Sequence, residues 1–152
     1  MKLMKNMFLH FFVASLFIFV ACEDEKTEDK PEKGSISGSV SFIGDFPPAD
    51  SGSVRISIHR DWYPTGPPYS YKEIAPEEVI NNVYAYEFTQ VAFGTYSAIA
   101  VDFVAAGSSS DEYTIWGVYG GTLQAGFMNG DSVVVSITEP DITGIDIDAT
   151  IY

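Results

Sequence analysis

The sequence has little cysteine and little positive charge, and both shortages limit what the protein can be. One cysteine in 152 residues excludes an intrachain disulfide and a cysteine-rich zinc site. Eight Lys and Arg stand against 21 Asp and Glu, a formal net charge of −13. Nucleic acid and anionic lipid headgroups are therefore excluded as natural partners, because both need clustered basic side chains. The length favours one domain rather than two.

A basic start and an apolar run open the chain. Lys2 and Lys5 precede an apolar run over residues 11–21. A membrane-spanning helix needs about 20 apolar residues, whereas the apolar region of a secretory signal peptide has about 7–15. The pattern predicts a signal peptide over residues 1–21.

The single cysteine, Cys22, follows this run directly. Phe19-Val20-Ala21-Cys22 resembles the lipobox of bacterial lipoproteins, although that family prefers Leu where Phe19 stands. The resemblance implies that Cys22 is acylated and becomes the mature N-terminus, so that lipid chains hold the protein to a membrane. The alternative is a chance cysteine at an ordinary cleavage site. A lone thiol in an exported protein is otherwise a reactive liability.

An acidic segment follows the cysteine. Residues 23–33 contain no apolar side chain, so they cannot bury enough surface to offset the entropy of ordering. We expect a disordered tether over residues 22–33 and a folded domain over residues 34–152. An acidic cluster behind an acylated cysteine also resembles the export signal of some surface lipoproteins. That resemblance implies the outer face of the outer membrane, with its periplasmic face as the alternative.

The rest of the chain alternates between polar and apolar residues with a period of two, which is typical of half-buried strands. Only residues 75–80 suggest a helical turn, with Pro76 at its first position. We expect an all-β fold, a seven-stranded antiparallel Greek-key β-sandwich. The expected strands are residues 35–42, 53–59, 84–89, 95–103, 115–119, 132–137 and 145–151. The expected inward set is Ile36, Val40, Ile56, Tyr86, Phe88, Val135 and Ile147.

Three segments resemble carboxypeptidase-regulatory-like domains, which have a transthyretin-like (prealbumin-like), Ig-like sandwich. Residues 34–40 resemble the first strand, residues 88–98 the segment that turns at Gly94 and restarts with Tyr96, and residues 142–147 the closing strand. Gly94 would supply a positive φ or a close backbone approach. Tyr96 would bury its ring and bond its hydroxyl to the backbone. The resemblance implies an accessory module without shared catalytic residues.

Catalytic chemistry finds little support in the residue types. Beyond the signal peptide the only histidine is His59, expected to be a solvated residue on the polar face of the second strand. A Ser-His-Asp arrangement could recruit Asp61, but the chain has no Gly-x-Ser-x-Gly elbow. No phosphate-binding glycine pattern is present either. We predict no catalytic residues and no cofactor.

A loop near the middle of the chain offers oxygen ligands. Asp102, Asp111 and Glu112 flank residues 103–110, and hard oxygen ligands suit Ca²⁺. The regular Asp-x-Asp-x-Asp-Gly spacing is absent. A flexible loop with solvated ends is the alternative, so no metal site is assigned and calcium stays an open question.

The most informative stretch is Trp62-Tyr63-Pro64-Thr65-Gly66-Pro67-Pro68-Tyr69-Ser70-Tyr71. Proline lowers the entropy lost on binding, and Trp and Tyr offer flat faces with polar tips. One interpretation is a ligand surface; the other is a lid that buries its rings over one end of the sandwich. The candidate ligand-binding residues are Trp62, Tyr63, Tyr69, Tyr71 and Trp116.

These features predict a lipid-anchored envelope lipoprotein that acts as a non-catalytic binding or structural module. Its partner would be an envelope protein or a carbohydrate, in addition to the membrane reached through the lipid. A small carboxylate-dependent hydrolase is the competing class. An accessory subunit of an outer-membrane complex is a third possibility.

Overall fold

The computed structural model of the chain describes residues 32–109 and 112–152. The predicted signal peptide, the Cys22 attachment site and all of the tether up to Pro31 lie outside the described residues, as does Asp111. Within the described ranges, no helix is long and apolar enough to span a membrane.

Strands make up the fold of the described part, as predicted. Two single-turn 3₁₀ segments, Pro76–Glu78 and Leu123–Ala125, are its only helical elements. The first of these lies within the helical turn expected over residues 75–80. The strands are β1 (Lys33–Ile43), β2 (Gly52–His59), β3 (Ser70–Ile74), β4 (Val83–Ala92), β5 (Gly94–Tyr96), β6 (Ala98–Ala105), β7 (Thr114–Val118), β8 (Val133–Val135), β9 (Asp141–Ile142) and β10 (Ile147–Thr150).

The strands form two main sheets that pack on a shared core. Sheet A has the order β10-β1-β4, with β9 also paired to β1. Sheet B has the order β3-β2-β6-β7, and β5 pairs with β8 in a separate ribbon. The inward faces of both sheets contribute to one apolar cluster, which is the arrangement of a β-sandwich. The predicted inward set is confirmed, because every one of its side chains is buried.

The strand inventory differs from the expectation in three places. β3 was missed, since its three central residues are all exposed and give no alternating signal. The single strand expected over residues 95–103 is two strands, because the chain leaves the β5–β8 ribbon at Ser97 and enters sheet B. β9 is only two residues long and was too short to recognise. The described part therefore has ten strands rather than seven.

The pairing of β1 also differs from a purely antiparallel sandwich. β1 runs antiparallel to β4 but parallel to both β9 and β10, with Val40 opposite Ile147. Parallel neighbours need long connections, and here almost the whole domain separates β1 from β10. A period of two reports the burial of each strand but carries no information on the direction of its partner.

The turn between β4 and β5 has the predicted local chemistry. Gly94 has a φ of +149°, a region that side chains other than glycine rarely occupy. The Tyr96 ring is fully buried, and its hydroxyl donates to the carbonyl of Ala92 at 2.6 Å. Both expectations for this segment are confirmed.

Sheet B is covered on both faces. Along β6, Ile99 and Val101 point into the main core, while Ala98 and Ala100 are also buried on the opposite face. Those two alanines pack with Val118 and Phe127 in a second small cluster, against which Trp62 and Ile115 rest. Loops after β2 and β7 therefore close over the outer face of sheet B.

Candidate ligand-binding site

A buried polar network lies on the outer face of sheet B. The antiparallel register sets Arg55 of β2 opposite Asp102 of β6, and Ser57 opposite Ala100. Arg55 Nε and Nη2 both bond to Asp102 Oδ1, at 2.7 and 2.6 Å. The second carboxylate oxygen, Oδ2, lies 3.3 Å from the Ser57 hydroxyl. Both carboxylate oxygens therefore have partners, which a buried charge requires.

His59 completes this network on β2. Its Nε2 lies 2.9 Å from the Ser57 hydroxyl oxygen. Ser57 has a single proton to give, and a carboxylate is a stronger acceptor than a neutral group. The arrangement that satisfies both contacts has Ser57 donating to Asp102 and His59 Nε2–H donating to Ser57, an assignment made from the network. The order of contacts is thus His59, Ser57, Asp102, Arg55.

Burial shifts the pKa values of His59 and Asp102 in the directions that favour the uncharged form of each side chain. The pKa of His59 is lowered from 6.5, chiefly by burial and also by the nearby Arg55 charge. The pKa of Asp102 is raised from 3.8 by burial, although Arg55 and Ser57 act in the opposite direction. At neutral pH, His59 is therefore uncharged, and Asp102 is balanced by Arg55.

Two tyrosines stand on either side of the Arg55 guanidinium. Its central carbon lies 5.8 Å from the centre of the Tyr71 ring and 5.9 Å from that of Tyr113. Both distances fall within the range of a cation–π contact. A cavity of about 180 Å³ opens between these rings, with Arg55, His59 and Asp102 at its floor and prolines of the loop after β2 along its side.

The loop after β2 is fastened to the rest of the domain by its first aromatic pair. Trp62 and Tyr63 stack with ring centres 4.9 Å apart and planes 19° apart. The Trp62 Nε1–H donates to the carbonyl of Phe127 at 2.8 Å, and the Tyr63 hydroxyl donates to that of Gly126 at 3.1 Å. Trp62 is half-buried against the small cluster. Part of the loop is therefore a lid anchored by Trp62.

Two further cavities adjoin the central one. A cavity of about 220 Å³ shares His59, Gly66 and Pro67 with it and reaches Tyr69. A wider cavity of about 500 Å³ shares Tyr113 with the central one. Its remaining walls include Tyr63, Ile115, Leu123, Phe127 and Tyr152.

The structure divides the candidate ligand-binding residues into three groups. Tyr63, Tyr69 and Tyr71 are exposed by 45%, 40% and 54%, and each lines one of the three cavities. Trp62 is half-buried and anchors the loop through its stacking on Tyr63 and its hydrogen bond to Phe127. Trp116 is only 3% exposed and stacks on Phe103 in the main core, so its ring is not available to a ligand.

The position of Trp116 has a simple packing cause. A side chain on Gly117 would lie 2.6 Å from the carbonyl oxygen of Asp148 and 2.9 Å from the Ile147 side chain. Gly117 therefore lets β7 approach β10 closely. The absence of a side chain at Gly117 thus brings the two sheets together beside Trp116.

The expectation for His59 is corrected at this site, and Asp102 has protein partners. His59 was expected to be solvated, but it is buried because the loop after β2 covers the face on which alternation correctly placed it. Asp102 was considered as a calcium ligand, yet its carboxylate is bonded to Arg55 and Ser57. Glu112 is exposed, and the described residues contain no group of three or more His, Cys, Asp or Glu side chains placed to hold a metal ion.

Sequence reasoning missed Arg55, Ser57 and Tyr113 as members of this site. One signal was available for the first of them: Arg55 is one of three basic residues beyond the tether and stands within an apolar strand. A buried cation requires a buried anion. The same strand period that placed Arg55 outward on β2 would place Asp102 on the matching face of β6.

No protein-family model, curated protein or solved structure matches the chain. The likeness of three segments to carboxypeptidase-regulatory-like domains therefore stays a prediction. The roles of the residues follow from the contacts described above.

Proposed function

We propose that the protein is a lipid-anchored lipoprotein of the outer membrane, displayed at the cell surface, whose β-sandwich is a non-catalytic binding module. One observation carries the binding part of this proposal. Tyr63, Tyr69 and Tyr71 expose their rings around cavities whose polar floor is already internally bonded. Large exposed aromatic side chains next to a concave surface are typical of ligand-binding sites.

The rigidity of this region supports binding. Trp62 and Tyr63 are stacked and bonded to the neighbouring loop, and Pro67 and Pro68 restrict the backbone between them and Tyr71. Tyrosine has only two side-chain torsions to immobilise. A ligand that covers these rings therefore meets a surface with little conformational freedom left to lose.

The arrangement of polar groups supports a non-catalytic role. Ser57 is only 1% exposed, so its hydroxyl has no route to a substrate carbonyl. Asp102 contacts the serine rather than the histidine, whereas a catalytic triad needs the carboxylate on the imidazole. Among the described residues no second carboxylate lines the cavity at Asp102, so the paired acids of a glycosidase are missing there.

A cavity elsewhere does bring two carboxylates together. Glu73 and Glu77 both line a space of about 260 Å³ at the far end of β3. Both side chains are exposed to solvent. A carboxylic acid that donates a proton at neutral pH needs a desolvated position, and these two do not have one. The hydrolase alternative therefore gains nothing from this cavity.

The anchor is tested by removing the predicted attachment site. Cys22→Ser should abolish acylation and move the protein from the membrane fraction to the soluble fraction, because acyl chains supply the membrane affinity. The measurement is fractionation followed by mass spectrometry of the N-terminal peptide. Membrane association of Cys22→Ser in the absence of any partner would contradict the lipoprotein assignment.

The binding surface is tested with the full-length protein held on its native membranes. Envelope polysaccharide and detergent-extracted envelope protein are offered separately to the wild type, to Tyr71→Ala and to Val134→Ala. Val134 is as exposed as Tyr71 and lies on β8, so it is the matched control. We expect the wild type and Val134→Ala to retain one of the two fractions with unchanged mass, and Tyr71→Ala to retain at least tenfold less.

Equal retention by both variants would contradict the assignment of the surface. A retained ligand that shortens during the incubation would contradict the non-catalytic part of the proposal. Trp62→Ala is not used here, because Trp62 supports the fold of the loop.

A further inference from the structure

The three cavities on the outer face of sheet B lie side by side. The central one shares Tyr113 with the wider cavity and His59, Gly66 and Pro67 with the smaller one. We refer to the three cavities together as the tyrosine groove, after Tyr63, Tyr69, Tyr71, Tyr113 and Tyr152 along their walls. These are five of the nine tyrosines in the chain.

The charges that line the tyrosine groove cancel. Arg55 and Asp102 form an ion pair in the central cavity, and Arg60 and Asp61 line the smaller one. The wider cavity is lined by no Asp, Glu, Lys or Arg side chain among the described residues.

The balance of positive and negative charge in the groove contrasts with the acidic character of the rest of the domain. Beyond the tether the sequence holds 15 acidic residues but only three basic ones, and two of those three line the groove. A cationic ligand would find stronger attraction at many other places on this surface, and an anionic ligand would be repelled on its approach. The groove suits a ligand without net charge.

The hydrogen-bonding groups and aromatic rings that line the central cavity restrict the class of ligand further. Arg55 offers hydrogen-bond donors and the tyrosine hydroxyls along the walls can both donate and accept, whereas the Asp102 oxygens are already bonded to Arg55 and Ser57. Donors and acceptors next to flat aromatic rings match a sugar, whose ring has apolar faces and a rim of hydroxyl groups that both donate and accept. A proline-rich peptide also docks on aromatic grooves, and it is therefore the competing ligand in the test.

The size of the cavities points to a chain of small units. The central cavity, about 180 Å³, is smaller than the roughly 300–1,000 Å³ of a site for a drug-sized molecule. It has room for one small unit, and the adjoining cavities, of about 220 and 500 Å³, have room for further units.

We infer that the tyrosine groove binds an uncharged oligosaccharide, with one sugar unit over Arg55 and Asp102 against Tyr71 and further units along the adjoining cavities. This inference rests on the proposed function, because it names the ligand class of the same surface. It adds Tyr113 and Arg55 to the residues that contact the ligand.

The test is a calorimetric titration of the full-length protein in detergent micelles. The probes are neutral gluco-, manno-, xylo- and N-acetylglucosamine oligosaccharides of one to six units, a polyanionic oligogalacturonate and a neutral proline-rich peptide. At least one neutral series should bind, with affinity rising at least tenfold from one unit to three and then levelling. Because stacking and neutral hydrogen bonds need no net charge, that affinity should change less than about twofold across a tenfold change in salt.

Variants assign the binding to the groove. Tyr71→Ala should lower the affinity at least tenfold, because it removes the ring that the sugar stacks on. Tyr71→Phe keeps the ring and should stay within about threefold of the wild type. Val134→Ala serves as the exposed control and should leave the affinity unchanged.

Failure of every neutral series to bind would overturn the inference, as would preferential binding of oligogalacturonate or of the peptide. If the native-membrane assay shows a Tyr71-dependent protein ligand instead, the proposed function stands and the sugar assignment falls. If neither assay depends on Tyr71, both fall. An oligosaccharide that binds equally to wild type and Tyr71→Ala would also overturn the inference, because the groove would not be the site.

Discussion

The outer faces of the two sheets have the same alternating sequence pattern, but one face is open to solvent and the other is buried. On sheet A the outward residues of β1 are serines that stay partly accessible, and the outward Glu87 of β4 is exposed. On sheet B the outward Ser57, His59 and Asp102 are buried. Alternation places side chains on a face, but loops from other parts of the chain decide whether that face meets water.

Polar groups on the two faces consequently contribute differently to the free energy of unfolding. On sheet A, the Ser35 hydroxyl donates to Asp141 at 2.7 Å, and Ser39 does the same to Asp146. Both contacts are exposed, so water can replace either partner. On sheet B, Arg55 and Asp102 are shielded, and each needs the other. Removing one partner of a shielded pair leaves a buried charge without compensation.

The largest effect on stability is expected for Asp102→Ala, which leaves the charge of Arg55 without its partner. We expect a loss of about 3 kcal/mol in the free energy of unfolding, near the lower end for broken buried pairs because Arg55 keeps some access to solvent. Asp141→Ala on sheet A should cost less than about 1 kcal/mol. Urea unfolding measures both.

A double variant separates charge from volume in this comparison. Arg55→Met combined with Asp102→Leu removes both charges and should recover most of the loss. Equal costs for Asp102→Ala and Asp141→Ala would show that the two faces are equally solvated, contrary to the structure.

An intermediate effect is expected for Trp62→Ala. The substitution removes the indole that packs over Ala98, Ala100 and Phe127 together with its hydrogen bond to the Phe127 carbonyl. We expect a loss of about 2 kcal/mol, less than the roughly 3–5 kcal/mol of a fully buried tryptophan. Thermal unfolding should show a clear drop in Tm.

Tyr63→Ala is the matched variant for that measurement. Tyr63 is exposed and keeps only the stacking contact and one hydrogen bond, so it should cost less than about 1 kcal/mol. If Trp62→Ala leaves the Tm unchanged, the loop after β2 does not hold the cover over sheet B.

The smallest effect is a pH dependence confined to sheet B. Because the pKa of His59 is lowered in the folded protein, the unfolded chain takes up a proton more readily near pH 6.5. The stability that neutral His59 contributes is therefore present above pH 6.5 and is lost as the pH falls below it. Arg55 opposes protonation of His59, and the Asp102 carboxylate faces the same network through Ser57.

Urea unfolding between pH 5 and pH 7.5 measures this slope. His59→Gln has no titrating ring and should flatten it. The raised pKa of Asp102 acts with the opposite sign: the folded protein binds its proton more readily, so that contribution is lost as the pH rises through the raised pKa. A slope that persists unchanged in His59→Gln would assign the titration to another group.

The features that the sequence predicts depend on local pattern, whereas the features that it does not predict depend on contacts between distant parts of the chain. Buried positions such as Ile56 and Phe88, and the local chemistry of Gly94 and Tyr96, follow from the neighbours of each residue in sequence. The cover over sheet B depends on a contact between Trp62 and Phe127, which are 65 positions apart. No local period encodes such a contact, so His59 was expected in solvent.

Aromatic composition alone could not sort the candidate site residues either. Within the candidate stretch over residues 62–71, Tyr63, Tyr69 and Tyr71 are exposed whereas Trp62 is half-buried. Trp116 was misplaced because its environment depends on how closely β7 approaches β10, and a single sequence does not show which glycine faces a neighbouring sheet.

The parallel partnership of β1 and β10 has a consequence for the order of folding. The hairpins β2–β3 and β6–β7 join segments close in sequence and can close early. β1 must instead wait for a partner 107 positions further on. During folding, sheet B and its covering loops can therefore assemble before the edge of β1 that receives β10 is filled. Until then that edge exposes unpaired backbone groups, which are available for pairing with another chain.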